Sequence, residues 1–432
     1  MNFIKDFIRK HPFAAAAVLT SVLFSIAICF LHFTLSADDY GYLARLYSSD
    51  GLKITDFFHF IDRTPVWIFF AWIFFHLPDA ENGKVPFIVT FVIFSFSVVR
   101  LFSYFAAQTR LNLNPWKAFW ITSVLLLYPT HYEILYWLTA MSYIAGLGLW
   151  ALSLGAVTLV QIPLMASAFL VSEAYLLPVL LFPFLIQIAN GRLTFKNAAG
   201  EILKWLIAVG LFFAVRFVIR HQLDLPAYAY DISLNPSFIL GRIRDSFYEV
   251  YAIQFYKVYW ANTAIYWLIL LVLLFIAFKN RLASPIKVLG CFAVSFLATA
   301  IYWIYAHNAP RALFGAQILV CISIFYLLSF FELKNLKWFL VLLACIYVSA
   351  TAKIFSVKWK NHQVLEALEI DWANRLSSCP EPCVIEVRDL DKDIRNDWVM
   401  DYQSSWPGFI DYVISKHKIT KKIEPIYVKP TK

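Results

Sequence analysis

Apolar runs of about 20 residues recur along the chain, each long enough to cross a hydrocarbon core of about 30 Å as a helix. Barrel strands would alternate apolar with polar positions, and these stretches do not, so the crossings are expected to be helical. Composition agrees: 61% hydrophobic and 18% aromatic residues, with a mean hydropathy of +0.66, are foreign to an ordinary soluble domain. The chain reads as an all-α polytopic membrane protein. Residues 14–35 form the first span. Lys5, Arg9 and Lys10 before it are too basic to cross readily, which puts the N-terminus in the cytoplasm. The stretch is too long for a cleavable signal peptide, and no small-residue cleavage site precedes the acidic loop that follows.

The apolar segment 64–77 has only about two thirds of the length a crossing needs. Pro65 at its start and its tryptophans suit a helix at headgroup depth on the outer face. With that segment held outside, spans follow at 85–107, 116–131, 135–159, 162–175, 176–189, 202–220, 261–278, 286–305, 313–331 and 338–355, giving about 11 crossings. The turn Thr109–Lys117 then faces the cytoplasm, as do Arg192, Lys196, Lys204, Lys279, Arg281, Lys287, Lys334 and Lys337, while the C-terminus lies outside. The formal net charge of +9 is accounted for by this bias and by lipid headgroups, and calls for no nucleic-acid partner.

This divides the chain into a membrane domain, residues 1–355, with outer loops at 36–84 and 221–260, and an extracytoplasmic tail, 356–432. The tail shifts toward Asp, Glu, Lys and Asn. Within it Cys383-Val384-Ile385-Glu386-Val387-Arg388 reads as a short strand of a small mixed α/β domain. Cys29, Cys291, Cys321 and Cys345 lie in apolar spans and behave as small hydrophobes. Cys379 and Cys383 either close a small disulfide loop or remain two thiols in a turn.

Chemistry is expected first at Asp38 and Asp39, directly behind the first span. Ser36 can cap a helix running to about Ser49, and the positive end of its dipole favours acids in the first turn. Such a turn needs no function. Its neighbourhood argues for one, because the same loop carries Asp56, Asp62 and Arg63 and leads into a helix that would roof a cavity at the membrane surface. At the next outer turn His131 and Glu133 precede Tyr136, Trp137 and Tyr143; this is either a site for substrate or a divalent ion, or a solvated turn with an aromatic belt. Glu173, within nearly thirty apolar residues, marks a hairpin between two short spans, since an acid there is costly unless it faces a turn or a wet cavity. Cations able to meet a phosphate leaving group are Arg63, Arg216, Arg220, Arg242, Arg244, Lys257 and Arg311. For any single one, interface anchoring is the competing role. No nucleotide-binding loop of either common pattern is present, so an activated donor would reach the outer face already attached to lipid, as a lipid-phosphate-linked sugar.

This layout resembles the GT-C class of membrane glycosyltransferases: one span, an outer loop opening on an Asp-Asp motif, an interfacial helix, many spans and an extracytoplasmic tail. In Ala37-Asp38-Asp39-Tyr40 and in Tyr136-Trp137-Leu138-Thr139 followed by Tyr143, it is most similar to bacterial and phage serotype-converting O-antigen glucosyltransferases. The resemblance covers about the first 180 residues. It implies inverting transfer of a hexose such as glucose from undecaprenyl phosphate to an O-antigen or other envelope glycan at the outer face of the bacterial inner membrane. One of Asp38 and Asp39 would be the general base, and Arg63 and Arg311 would meet the phosphate. Several members of the class use a divalent cation such as Mg or Mn. Asp38, Asp39 and Glu133 are the acids that would hold one here, and their sparseness leaves metal dependence open. Two competing readings are a flippase or transporter of lipid-linked sugar, lined by Glu173 and Arg216, and a non-catalytic partner in polysaccharide assembly.

Overall fold

The computed structural model describes residues 2–30, 37–59, 65–128, 141–192, 194–222, 233–251, 260–304, 313–380, 383–387, 406–420 and 423–427. Helices dominate it. α1 (Asn2–Lys10) leads through His11 into α2 (Pro12–Phe30), where Pro12 occupies the first helical position and forfeits no hydrogen bond. After α3 (Ala37–Tyr47) and α4 (Pro65–Phe75) comes α5 (Lys84–Gln108), which packs on α2 with the Phe24 and Phe91 rings stacked 3.8 Å apart. The chain continues as α6 (Pro115–Leu125), α7 (Ser142–Ser153), α8 (Thr158–Val171), α9 (Leu176–Asn190) and α10 (Phe195–Gln222). α11 (Pro236–Tyr251), α12 (Trp260–Lys279), α13 (Pro285–Leu297), α14 (Phe314–Leu328) and α15 (Leu333–Ser378) complete the bundle. Every residue of α14 is buried, as a helix apolar on all sides must be, and it forms the centre around which the others stand.

The protein is an all-α membrane protein in its bundle. Among the described residues, five helices are long and apolar enough to cross a bilayer: Pro12–Phe30, Lys84–Gln108, Glu173–Asn190, Ala198–Gln222 and Leu333–Ser378. Length and apolarity thus single out fewer crossings than sequence patterning implies. The expected span 116–131 is the 11-residue α6, only about 16 Å long. Its start is fixed by Asn114, whose side chain accepts from the Trp116 amide at 2.9 Å. The expected span 286–305 is the 13-residue α13 followed by a short 3-10 turn, Ala300–Trp303. A helix of this length falls short of a hydrocarbon core of about 30 Å. α10 stands at the periphery and turns Leu203, Leu206, Phe213 and Phe217 outward, an apolar face suited to lipid. The hairpin expected at Glu173 lies where α8 ends at Val171: Ser172 is extended and its hydroxyl accepts from the Ala174 amide at 3.2 Å.

α15 has 46 residues, about 69 Å at 1.5 Å per residue, more than twice a hydrocarbon core. It runs unbroken through residue 355, where composition alone divides membrane part from tail. Beyond it, β1 (Cys383–Val387) pairs in parallel with β2 (Ile423–Tyr427), in register from Cys383 opposite Ile423 to Val387 opposite Tyr427. Parallel pairing needs a crossover, and α16 (Trp406–Lys416) lies within it. Cys379 and Cys383 are joined as a disulfide with their Cα atoms 5.5 Å apart, which ties the end of α15 to the start of β1.

Contacts between turns sort the helix ends into two sets. At one end Lys117 Nζ donates to the carbonyls of Ser329 (2.6 Å) and Phe331 (3.2 Å), beyond the C-terminus of α14. Asn190 donates to the Gln108 carbonyl at 3.0 Å, and Tyr326 to that of Ala189 at 3.0 Å. Gly191, at φ 65°, lies so close to Lys287 that a Cβ there would stand 2.8 Å from its Cε. The turns that carry Arg110, Lys117, Arg192, Lys287 and Lys334 therefore share one end. α3, α4, Glu81 and α16 gather at the other.

Candidate functional site

α3 opens on the acidic pair seven residues after α2 ends. An isolated helix of 11 residues is marginal in water, so its geometry is set by what it packs against. Tyr40 and Tyr47, two turns apart, share the face that meets α16. The Tyr40 ring stands edge-on to Phe409 at 5.0 Å and lies 5.2 Å from Tyr412, and Tyr47 lies 6.0 Å from Tyr412. Tyr42 stacks on Phe57 at 4.2 Å and touches Phe75 at the end of α4. Asp39 falls between these faces, on the side of Leu43, and both residues are fully buried. Burying a carboxylate costs several kcal/mol unless it is compensated, so this acid is held in the interior by a specific surrounding.

The C-terminal end of α3 is fastened by charge. Arg45 donates to Asp56 Oδ1 at 2.8 Å, and the other oxygen of Asp56 accepts from the Lys53 amide at 2.8 Å, closing the turn after the helix. Tyr47 donates to Glu81 Oε2 at 2.6 Å. Lys416, in the last turn of α16, reaches the same Glu81 oxygen at 3.4 Å and Glu369 Oε1 at 2.9 Å, and donates to the Tyr412 hydroxyl at 2.9 Å. Glu369 Oε1 also meets His417 Nε2 at 2.9 Å. Burial would lower the Lys416 ammonium, but Glu369 and Glu81 outweigh it and hold it above its ordinary value. Burial, then the hydrogen bond to Glu81, raises the Tyr47 hydroxyl; burial, then Glu369, raises that of Tyr412. Asp411 is exposed, and partial desolvation on its α16 side raises its carboxyl, opposed by Arg45.

The remaining candidates divide sharply. Tyr143 is buried, and its backbone carbonyl accepts from Tyr175. The Tyr175 ring covers Gly146, where a Cβ would meet its Cε2 at 2.5 Å. Glu173 and Arg216 form an ion pair, and the Arg216 guanidinium lies 5.7 Å over Phe212. Arg216, grouped in the sequence with the phosphate-binding cations, thus stands beside the acid of the α8–α9 hairpin. Arg220 lies one turn further along α10. Arg242 sits 5.1 Å over Phe238, and Arg244 pairs with the adjacent Asp245 at 2.9 Å on the exposed face of α11. The Asp38 side chain, Asp62, Arg63, His131, Glu133, Tyr136, Trp137, Lys257 and Arg311 lie outside the described residues. Among the described residues no three His, Cys, Asp or Glu side chains come together as a metal site requires.

Sequence reasoning did not single out Tyr47, Glu81, Glu369, Lys416 or His417. The spacing of Phe409, Ile410, Tyr412 and Val413, all buried, is the helical signal that marks α16. Nothing local pairs it with α3. No protein-family model matches the chain, and no curated protein and no solved structure matches it either.

Proposed function

We propose that the chain is a membrane glycosyltransferase that moves a sugar from a polyprenyl-phosphate carrier to an envelope glycan acceptor at the extracytoplasmic face. The observation that carries this reading is Asp39: a fully buried carboxylate in the first turn of the helix that follows the first membrane-spanning helix. Acids kept at such positions against the cost of burial are candidates for function. The basic turns sit at the opposite end of the bundle, and the positive-inside rule assigns that end to the cytoplasm. α3 and α16 touch, so on this reading they share a face of the membrane, with an odd number of crossings between α1 and α16. A count of 11 and a small mixed α/β tail outside the bilayer satisfy this.

In the proposed reaction a carboxylate of Asp38 or Asp39 takes the proton of an acceptor hydroxyl as its oxygen attacks the anomeric carbon. The bond to the polyprenyl phosphate breaks with inversion, and Arg63 and Arg311 meet the departing charge. A divalent cation such as Mg or Mn belongs to the scheme only if Asp38, Asp39 and Glu133 converge. The transport reading is less favoured, because the sequence shows no paired repeats of the kind transporters of this size carry.

The test is the mass of envelope glycans from cells producing the wild type, Asp38→Asn, Asp39→Asn or the double variant. Loss of the added hexose with normal membrane insertion supports transfer. Full modification by all three variants removes the catalytic reading and leaves an assembly or transport role.

A further inference from the structure

We propose that Lys416 is a positioning residue for the acidic helix, acting as the pin of a clasp between the first loop and the tail. The inference rests on the transferase reading for its functional consequence, but not for its geometry. Lys416 Nζ stands between two carboxylates from distant parts of the chain, 2.9 Å from Glu369 Oε1 and 3.4 Å from Glu81 Oε2. Glu369 lies on the stretch of α15 beyond residue 355, and Glu81 lies in the 3-10 turn Ala80–Asn82 before α5. Through Glu81 the ammonium reaches Tyr47 at the end of α3, and through Tyr412 it reaches the ring against Tyr40, the residue next to Asp39.

Removing the cation leaves Glu81 and Glu369 facing each other across its place, together with the phenols of Tyr47 and Tyr412 and the imidazole of His417. Two like charges at that spacing repel. The cheapest relief is for α16 to lift from α3, which withdraws Phe409 and Tyr412 from Tyr40. Asp39 then loses the backing of its own turn. A displacement of about 1 Å at a general base can cost on the order of a hundredfold in rate. Lys416→Arg keeps the charge and a long donor, so it should hold the clasp.

Hydrogen exchange on the full chain in lipid nanodiscs, paired with the glycan mass in cells, tests this. For Lys416→Met the expectation is faster exchange over residues 37–47, unchanged exchange over α14, and glycan modification lowered about tenfold or more. Lys416→Arg should restore both. Glu81→Gln, which weakens only the Tyr47 branch, should give the same pattern more weakly and serves if Lys416→Met does not fold. Unchanged exchange over 37–47 in both Lys416→Met and Glu81→Gln overturns the clasp. Faster exchange with full modification, while Asp39→Asn abolishes modification, overturns the positioning role and leaves the transferase reading intact. Full modification by Lys416→Met and by the Asp38→Asn, Asp39→Asn double variant overturns both.

Discussion

At the basic end of the bundle, side chains reach backbone carbonyls: Lys117 those of Ser329 and Phe331, Asn190 that of Gln108, and Tyr326 that of Ala189. At the opposite end, side chains reach one another, as Tyr47, Glu81, Lys416, Glu369 and His417 do across four segments of the chain. The first arrangement closes turns and tolerates many sequences, because every carbonyl is alike. The second depends on particular partners, because each carboxylate has its own cation or phenol. A fold can be held by the first kind of contact alone, whereas a site needs the second.

The contrast can be broken by substitution, and the largest effect is expected at the acidic pair. The Asp38→Asn, Asp39→Asn double variant should lower glycan modification by about 100-fold or more, the usual contribution of a general base, with normal membrane insertion. Next is Lys117→Met, which leaves two carbonyls without their donor. It should cost about 1–3 kcal/mol of stability, read as a lower unfolding temperature in detergent, with exchange over 37–47 unaltered. If it loosens α3 instead, the two ends are not independent. Cys379→Ser opens a loop between cysteines only four positions apart and should cost about 1–2 kcal/mol, confined to α16 and the paired strands. The smallest effect is at Asp411. Partial desolvation raises its carboxyl, so the folded state binds its proton more tightly than the unfolded chain does. Stability contributed by that proton is present in acid and lost as pH rises from the ordinary carboxylate range through the raised value. Asp411→Asn should therefore unfold at slightly higher temperature than wild type at neutral pH, with the gain vanishing in acid.

Much of the helical layout is legible in the residues. Pro65 begins α4, the end of α3 at Tyr47 lies close to Ser49, and Glu173 marks a hairpin because an acid cannot stay in lipid unpaired. Helix lengths in the middle of the chain are less legible. The apolar run continues through Leu126, Leu127 and Tyr128, while α6 stops at Leu125; hydropathy measures affinity for an apolar surrounding and does not distinguish lipid from protein. The burial of Asp39 follows from helical phase once Tyr40 and Tyr47 are known to face α16, but that contact joins positions more than 360 apart. The clasp escapes for the same reason. Tyr47, Glu81, Glu369 and Lys416 have no common period, and only the folded chain makes them neighbours.

The central claim is that the acidic helix faces the extracytoplasmic side, and topology is its most direct test. With the six native cysteines replaced by alanine, Ser49→Cys places a lone thiol in the exposed turn after α3. Intact spheroplasts are then treated with a membrane-impermeant maleimide. The account predicts labelling without permeabilisation. Labelling only after the membrane is opened would put Asp39 on the cytoplasmic side, away from any lipid-linked sugar presented outside, and would contradict the account.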